Sequence, residues 1–286
     1  MNHTVITRYF VFCVLMFVSF GVFAQTKFII APGIMNFDYV ETDADGTFLD
    51  GEKGSISGLK LGVNVKTKSK IDFGFTFEYY SGLVDYDGHL QSLTDPPDLN
   101  VEMAPFKSET EETVNSLAGY IITPISPSTP GLSIYGSLTT KIWERLIKGR
   151  FVTEDGNLGQ PINQFVPDTY EKYEWWQFDI GLLYKVSVTP KSYMNFKGGF
   201  LRTLNPTMRV STSNLNLGEK WGYELGAEWL YKITQKHSLG VGGEYNYWEF
   251  GRSNLVFDSG LEDFILEPDS ESKMFVFRLI YEYVLN

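Results

Sequence analysis

Cysteine, histidine, basic charge and long apolar runs are all scarce in this chain, and each scarcity excludes something. The single cysteine, Cys13, lies in a leader-like N-terminus. Met1 to Arg8 is short and weakly basic, Tyr9 to Phe23 is apolar, and Val22-Phe23-Ala24 puts small or branched residues just before Gln25. Cleavage after Ala24 is expected, giving a leader at 1–24 and one domain at 25–286. The mature chain then has no cysteine and no disulfide framework. Cys13 sits in no lipobox position, so no lipid anchor is expected. No later stretch approaches about eighteen apolar residues, which excludes a transmembrane helix. Loss of the leader removes Arg8 from the 24 basic residues and none of the 35 acids. So acidic a balance argues against nucleic acid as a partner, since neutralising its phosphates needs a broad basic surface.

What the chain has instead is alternation with large aromatics. In Trp221-Gly-Tyr223-Glu-Leu225-Gly-Ala227-Glu-Trp229-Leu-Tyr231-Lys-Ile233, one face reads Trp, Tyr, Leu, Ala, Trp, Tyr, Ile. The other carries Gly222, Glu224, Gly226, Glu228, Leu230 and Lys232. Successive strand residues point to opposite faces, so this is a strand with one oily and one charged side. Aromatics near both ends of the oily face are the mark of a lipid-facing strand with two girdles. From Trp221 to Tyr231 a strand tilted by about 40° rises roughly 25 Å, the height of an outer-membrane apolar band. Aromatics make up 16% of the chain, while the mean hydropathy is −0.13. A barrel with one wet and one oily face accounts for both values.

Ten such segments can be read, at roughly 27–40, 55–66, 70–83, 112–124, 131–146, 173–187, 192–204, 219–234, 237–251 and 272–285. Short connections (67–69, 125–130, 188–191, 235–236) alternate with long ones (41–54, 84–111, 147–172, 205–218, 252–271). This predicts an all-β fold, a transmembrane antiparallel up-and-down β-barrel of ten strands, with eight or twelve as the alternatives. An even count puts both termini on the periplasmic side. The alternation turns the acids Asp38, Asp72, Glu78, Asp179, Glu224, Glu228, Glu244 and Glu282 inward. It does the same for the bases Lys60, Lys66, Lys141, Arg145, Lys185, Lys197, Lys232 and Arg278. Buried charges must pair, so a neutral, plugged lumen is expected. Trp175-Trp176, with Tyr170 and Tyr173, reads as the outer girdle.

The last strand, Met274 to Asn286, turns Phe275, Phe277, Leu279, Tyr281, Tyr283 and Leu285 to lipid. It resembles the C-terminal assembly signal of bacterial outer-membrane proteins, although Asn286 overhangs Leu285. Over residues 25–286 the pattern is similar to the small outer-membrane barrels, with OmpA- and Opa-like proteins sharing the general form. The ten-stranded omptin proteases are the nearest in architecture. That resemblance implies an acidic pair on the second long loop, which Asp85-Tyr-Asp87-Gly-His89 imitates, and an Asp–His pair on a later loop. The loop at 205–218 has neither Asp nor His, so the catalytic set is incomplete and no catalytic residue is assigned. His237, the other mature histidine, sits beside a short turn.

One loop has the spacing of a metal site. Glu41-Thr-Asp43-Ala-Asp45-Gly46 followed by Glu52 fits the calcium-loop pattern, with Glu in place of the first Asp. Asp43, Asp45 and Glu52 are the candidate ligands, and a solvated acidic turn is the alternative. No other cofactor is implied. The chain reads as a non-enzymatic outer-membrane barrel offering acidic loops for binding, adhesion or envelope integrity. Its expected partners are membrane lipid, lipopolysaccharide and the assembly machinery, and no extracellular ligand is identified. An omptin-like or lipid-modifying enzyme and a narrow solute channel are the alternatives.

Overall fold

The computed structural model describes residues 23–68, 70–90, 104–149, 151–152, 164–165, 167–260 and 263–285. Most of the leader, and the acids Asp95, Asp98 and Glu102, lie outside the described residues. Ten long strands form the wall: β1 (Phe23–Thr42), β2 (Phe48–Thr67), β3 (Asp72–Leu90), β4 (Ala104–Pro124), β5 (Leu132–Ile147), β6 (Thr169–Thr189), β7 (Ser192–Val210), β8 (Trp221–Lys232), β9 (His237–Phe250) and β10 (Asp269–Leu285). Each pairs antiparallel with its neighbours in sequence. β1 pairs with β10 over Thr26↔Leu285 to Thr42↔Asp269, which closes the barrel. The expected architecture and strand count are therefore present, and closure leaves no unpaired strand edge.

The strands are longer than the sequence segments. A tilted strand crosses a membrane in about 9–11 residues, whereas β1 has 20 and β4 has 21. The outward faces show where the apolar band ends. Ile34, Leu59, Tyr79, Leu117, Ile142, Trp176, Phe200, Trp221, Tyr247 and Phe275 are the last residues of the continuous apolar rows, and their side chains are exposed or half-buried. One strand step further on, the outward positions are mostly polar: Asn36, Ser57, Ser81, Asn115, Glu144, Glu174, Arg202, Glu249 and Lys273. The strands continue past this level as a polar-walled collar on the long-loop side. Much of what reads as loop at 41–54 and 84–111 is thus strand.

Several glycines in or beside the wall leave no room for a Cβ, Gly131 and Gly58 among them. Gly131 holds φ +89 in the β4–β5 turn, where a Cβ would lie 2.1 Å from the Lys185 carbonyl oxygen. Gly58 packs under Tyr80, whose ring would collide with any side chain there.

Inside the collar the barrel has an aromatic core. Phe37 and Tyr39 on β1 meet Trp143 on β5, with centroids 5.3 and 4.9 Å apart. Trp143 stacks on Tyr173 of β6 at 4.6 Å, and Tyr173 on Phe250 of β9 at 6.0 Å. Trp175 continues the cluster to Trp248 at 5.9 Å. These rings reach across the lumen, since β1 lies on the opposite wall from β5 and β6. From above, Leu215 and Leu217 of the β7–β8 connection join the same cluster, and Val256 and Ile265 of the β9–β10 connection pack against it. Trp175 and Tyr173 therefore face inward. Only Tyr170 and Trp176 of that set stand exposed on the outer wall.

Below the aromatic core the interior is ionic. Arg278 bonds Glu244 and Glu78, both at 2.7 Å, and Tyr80 at 2.9 Å. Lys60 pairs with Glu78 at 3.0 Å, and Lys197 with Glu224 at 2.6 Å. Near the short turns Lys27 pairs with Glu282 at 2.6 Å. Asp38 departs from expectation, because it faces outward and pairs with Lys53 at 3.1 Å. In β1 both faces of Phe28-Ile29-Ile30-Ala31 are apolar, so the inward phase is hidden there and Lys27 holds the inward place.

Candidate functional site at the long-loop end of the lumen

Arg145 is the centre of a buried polar cluster that lies above the apolar band. Alternation along β5 turns Tyr135, Thr139, Trp143 and Arg145 inward. The guanidinium is only 1% exposed. Its Nη1 lies 3.3 Å from Glu41 on β1 and 2.8 Å from Glu171 on β6, and its Nε 3.0 Å from Glu52 on β2. It donates to the Tyr173 hydroxyl at 3.0 Å. The rings of Tyr39 and Trp143 flank it at 4.6 and 5.2 Å, within cation–π range. Glu112 on β4 stands 3.9 Å from Nε and accepts from the Trp143 indole N–H.

The cluster extends into the β9–β10 connection. Tyr173 donates to Glu267 at 2.6 Å, and Tyr39 donates to Glu41 at 2.6 Å. The Glu267 backbone is locked to Ser253, whose hydroxyl accepts from its N–H at 2.9 Å. Further along, the short hairpin Val256–Asp258 with Asp263–Ile265 is pinned by Asp258. That carboxylate is fully buried and accepts from the Ser211 hydroxyl and the Thr212 and Gly260 N–H groups.

Carboxyl groups far outnumber cations here. Glu41, Asp50, Glu52, Glu112, Glu171 and Glu267 gather around the one guanidinium of Arg145, and a water-poor interior disfavours that much like charge. Burial pushes Glu112 and Glu267 well above the usual carboxylate range, reinforced by Glu52 in the first case and Glu41 in the second. Burial likewise raises Glu171 to about 7, against the pull of Arg145. The arrangement can hold protons. Glu52 and Glu112, at 1% and 0% exposure, are shut off from solvent.

The candidate calcium ligands do not converge. Asp43 and Asp45 stand exposed at the β1–β2 hairpin tip, where Asp43 pairs with Arg252 at 2.6 Å and Asp45 accepts from the Thr47 N–H. Glu52 is inside the barrel, bound to Arg145 and to the Thr110 hydroxyl at 2.6 Å. The reason is register: β2 begins at Phe48, so Glu52 is an inward strand residue and not the closing residue of a loop. Among the described residues no cluster of three or more His, Cys, Asp or Glu is arranged to hold a metal ion. We expect Glu52→Gln to lower stability equally with and without millimolar calcium. A loss that appears only with calcium present would restore the loop site, and thermal unfolding in both conditions distinguishes the two.

Asp85 and Asp87 are exposed on the outer wall of β3, and Asp87 pairs with Lys107 at 3.0 Å. They do not face the lumen or the Arg145 cluster. His89 is placed by its backbone opposite Pro105, and its side chain lies outside the described ones. His237 is at the other end, with Nδ1 2.7 Å from the Tyr281 hydroxyl. Of the acids that do converge, Glu41, Asp50, Glu52, Glu171 and Glu267 fall in segments that read as long connections, whereas Glu112 opens the fourth strand segment. The available signal was phase, because Thr110, Glu112 and Val114 continue one inward row of β4.

No family model and no curated protein sequence matches this chain. Among solved structures, the outer membrane protease OmpT from Escherichia coli superposes with a TM-score of 0.65. That match has 12% identity and covers 93% of this chain and 98% of that one. Weaker likenesses, both at a TM-score of 0.34 and 10% identity, are OprG from Pseudomonas aeruginosa and Ail, the attachment invasion locus protein of Yersinia pestis. Each covers 91% of this chain, with 96% and 98% of theirs. At such identities the likeness is one of fold, and the fold is a ten-stranded closed barrel of the outer-membrane type.

Proposed function

We propose that this chain is a non-enzymatic integral protein of a bacterial outer membrane, with a closed lumen and an acidic collar that serves binding, adhesion or envelope integrity. Export through a leader cleaved after Ala24 and insertion guided by the aromatic β10 strand fit this reading. The observation that carries it is the contact of rings from opposite walls, Phe37 and Tyr39 with Trp143 and Tyr173, topped by the Arg145 cluster. A solute channel needs an open path at that level. A protease of the kind named for OmpT needs acid and base groups facing a common cleft, whereas Asp85 and Asp87 point away from the lumen.

The collar supports a surface role because its outward charges are mixed, with Glu109, Glu111 and Glu174 exposed beside exposed Lys53 and Lys107. Lipid and lipopolysaccharide are the partners that the apolar band and its girdles imply. Protease added to intact cells should cut between β3 and β4 or between β5 and β6, and should spare the turns at 190–191 and 233–236. Cleavage at those turns without rupture of the outer membrane would invert the topology and end this reading.

A further inference from the structure

Among the described residues, the exposed charged side chains at the short-turn end of the barrel are all of one sign. Lys68 and Lys70 in the β2–β3 turn, Lys191 in the β6–β7 turn and Lys236 in the β8–β9 turn are exposed, as are Lys66, Lys185 and Lys232 at the rim of the lumen. Among the described residues, none of the four turn lysines is in an ion pair with a carboxylate. The acids of that end, Asp72, Glu228 and Glu282, are half-buried or buried within the lumen. In a chain of net charge −11, this segregation is the reverse of the overall composition.

The turn lysines also sit at a defined height. Val188, Ile233 and Phe73 are exposed members of the apolar band, each three positions from a turn lysine. An ammonium on a flexible stem at that level reaches the phosphates of the adjoining leaflet. The turn itself does not call for lysine. Lys70 has φ +67, a left-handed position that glycine or asparagine takes at lower cost. We propose that Lys68, Lys70, Lys191 and Lys236 form an interaction surface for the headgroup phosphates of anionic phospholipid in the leaflet that meets the short turns. This rests on the membrane-spanning reading above.

The test uses the full mature barrel refolded into vesicles of phosphatidylethanolamine, with or without a minor share of phosphatidylglycerol. Quenching of the outward Trp229 by brominated lipid of each class measures local preference. A preference for the anionic lipid that weakens with salt is expected, built from about fivefold per lysine. Exchange of the four turn lysines for glutamine should abolish it, while the same exchange at Lys53, Lys107 and Lys148 of the collar should leave it intact. Equal quenching by both lipids, or a preference that survives the turn exchange, would overturn the inference. So would a preference lost only in the Lys66, Lys185 and Lys232 variant and competed by inorganic phosphate, which would assign the anion to the lumen rim. Insertion without preference defeats this inference alone, whereas failure to insert into either vesicle defeats the membrane reading as well.

Discussion

Replacing Arg145 by methionine should lower the stability of the barrel by about 3–5 kcal/mol, the loss expected when one partner of a buried ion pair is removed. Methionine keeps much of the volume, so the loss reports charge and not a cavity. Without the guanidinium, Glu41, Glu52 and Glu171 lose the cation that lies 2.8 to 3.3 Å from each of them. Lysine should rescue little, because one ammonium cannot span three strands as the guanidinium fork does. The pH dependence gives the sign. Burial holds Glu171 at about 7, up from 4.5, so the folded state binds a proton that the unfolded state has released. The stability contributed by this group is full below about 4.5 and is lost as pH rises through about 7. Wild type should therefore be more stable at pH 5 than at pH 8, and the methionine variant should fall more steeply over that range. Urea midpoints of the refolded protein measure both, and a variant as stable as wild type at pH 8 would show that the cluster is not held by Arg145.

The second large effect is expected at the aromatic core. Trp143 and Trp248 are 0% and 1% exposed, and truncation of a buried tryptophan to alanine costs about 3–5 kcal/mol. More telling than stability is permeability. The two indoles belong to one ring cluster that bridges opposite walls, and the interior below them is lined by charged side chains that water can reach, such as Lys60 and Lys197. The double alanine variant should pass ions in steps that wild type lacks. A variant that folds and stays silent would place the seal elsewhere, in the connections that pack on the cluster from above.

The band of the barrel was legible in the sequence because lipid imposes contrast. In Trp221–Ile233 every outward residue is apolar and most inward ones are charged or glycine, so strand, phase and height follow together. The collar was less legible, because its outward face is polar and its inward face mixes acids with aromatics. Glu111 points out and Glu112 points in, and nothing in their chemistry separates them. The same loss of contrast made Glu52 look like the end of a metal loop. Neighbouring aromatics hide phase too. Trp176 belongs to the girdle and Trp175 to the core, and only the register of β5 with β6, Lys141↔Trp175 and Thr140↔Trp176, assigns them. The acidic cluster needs five strands and the β9–β10 connection to meet at one level, which is tertiary information.

Planar-bilayer recording of purified wild-type protein tests the closed-lumen barrel most directly. The account predicts incorporation into the bilayer without steady conductance at moderate voltage, while the Trp143→Ala, Trp248→Ala variant recorded under the same conditions opens. Stable, ion-selective openings from the wild-type protein would contradict it.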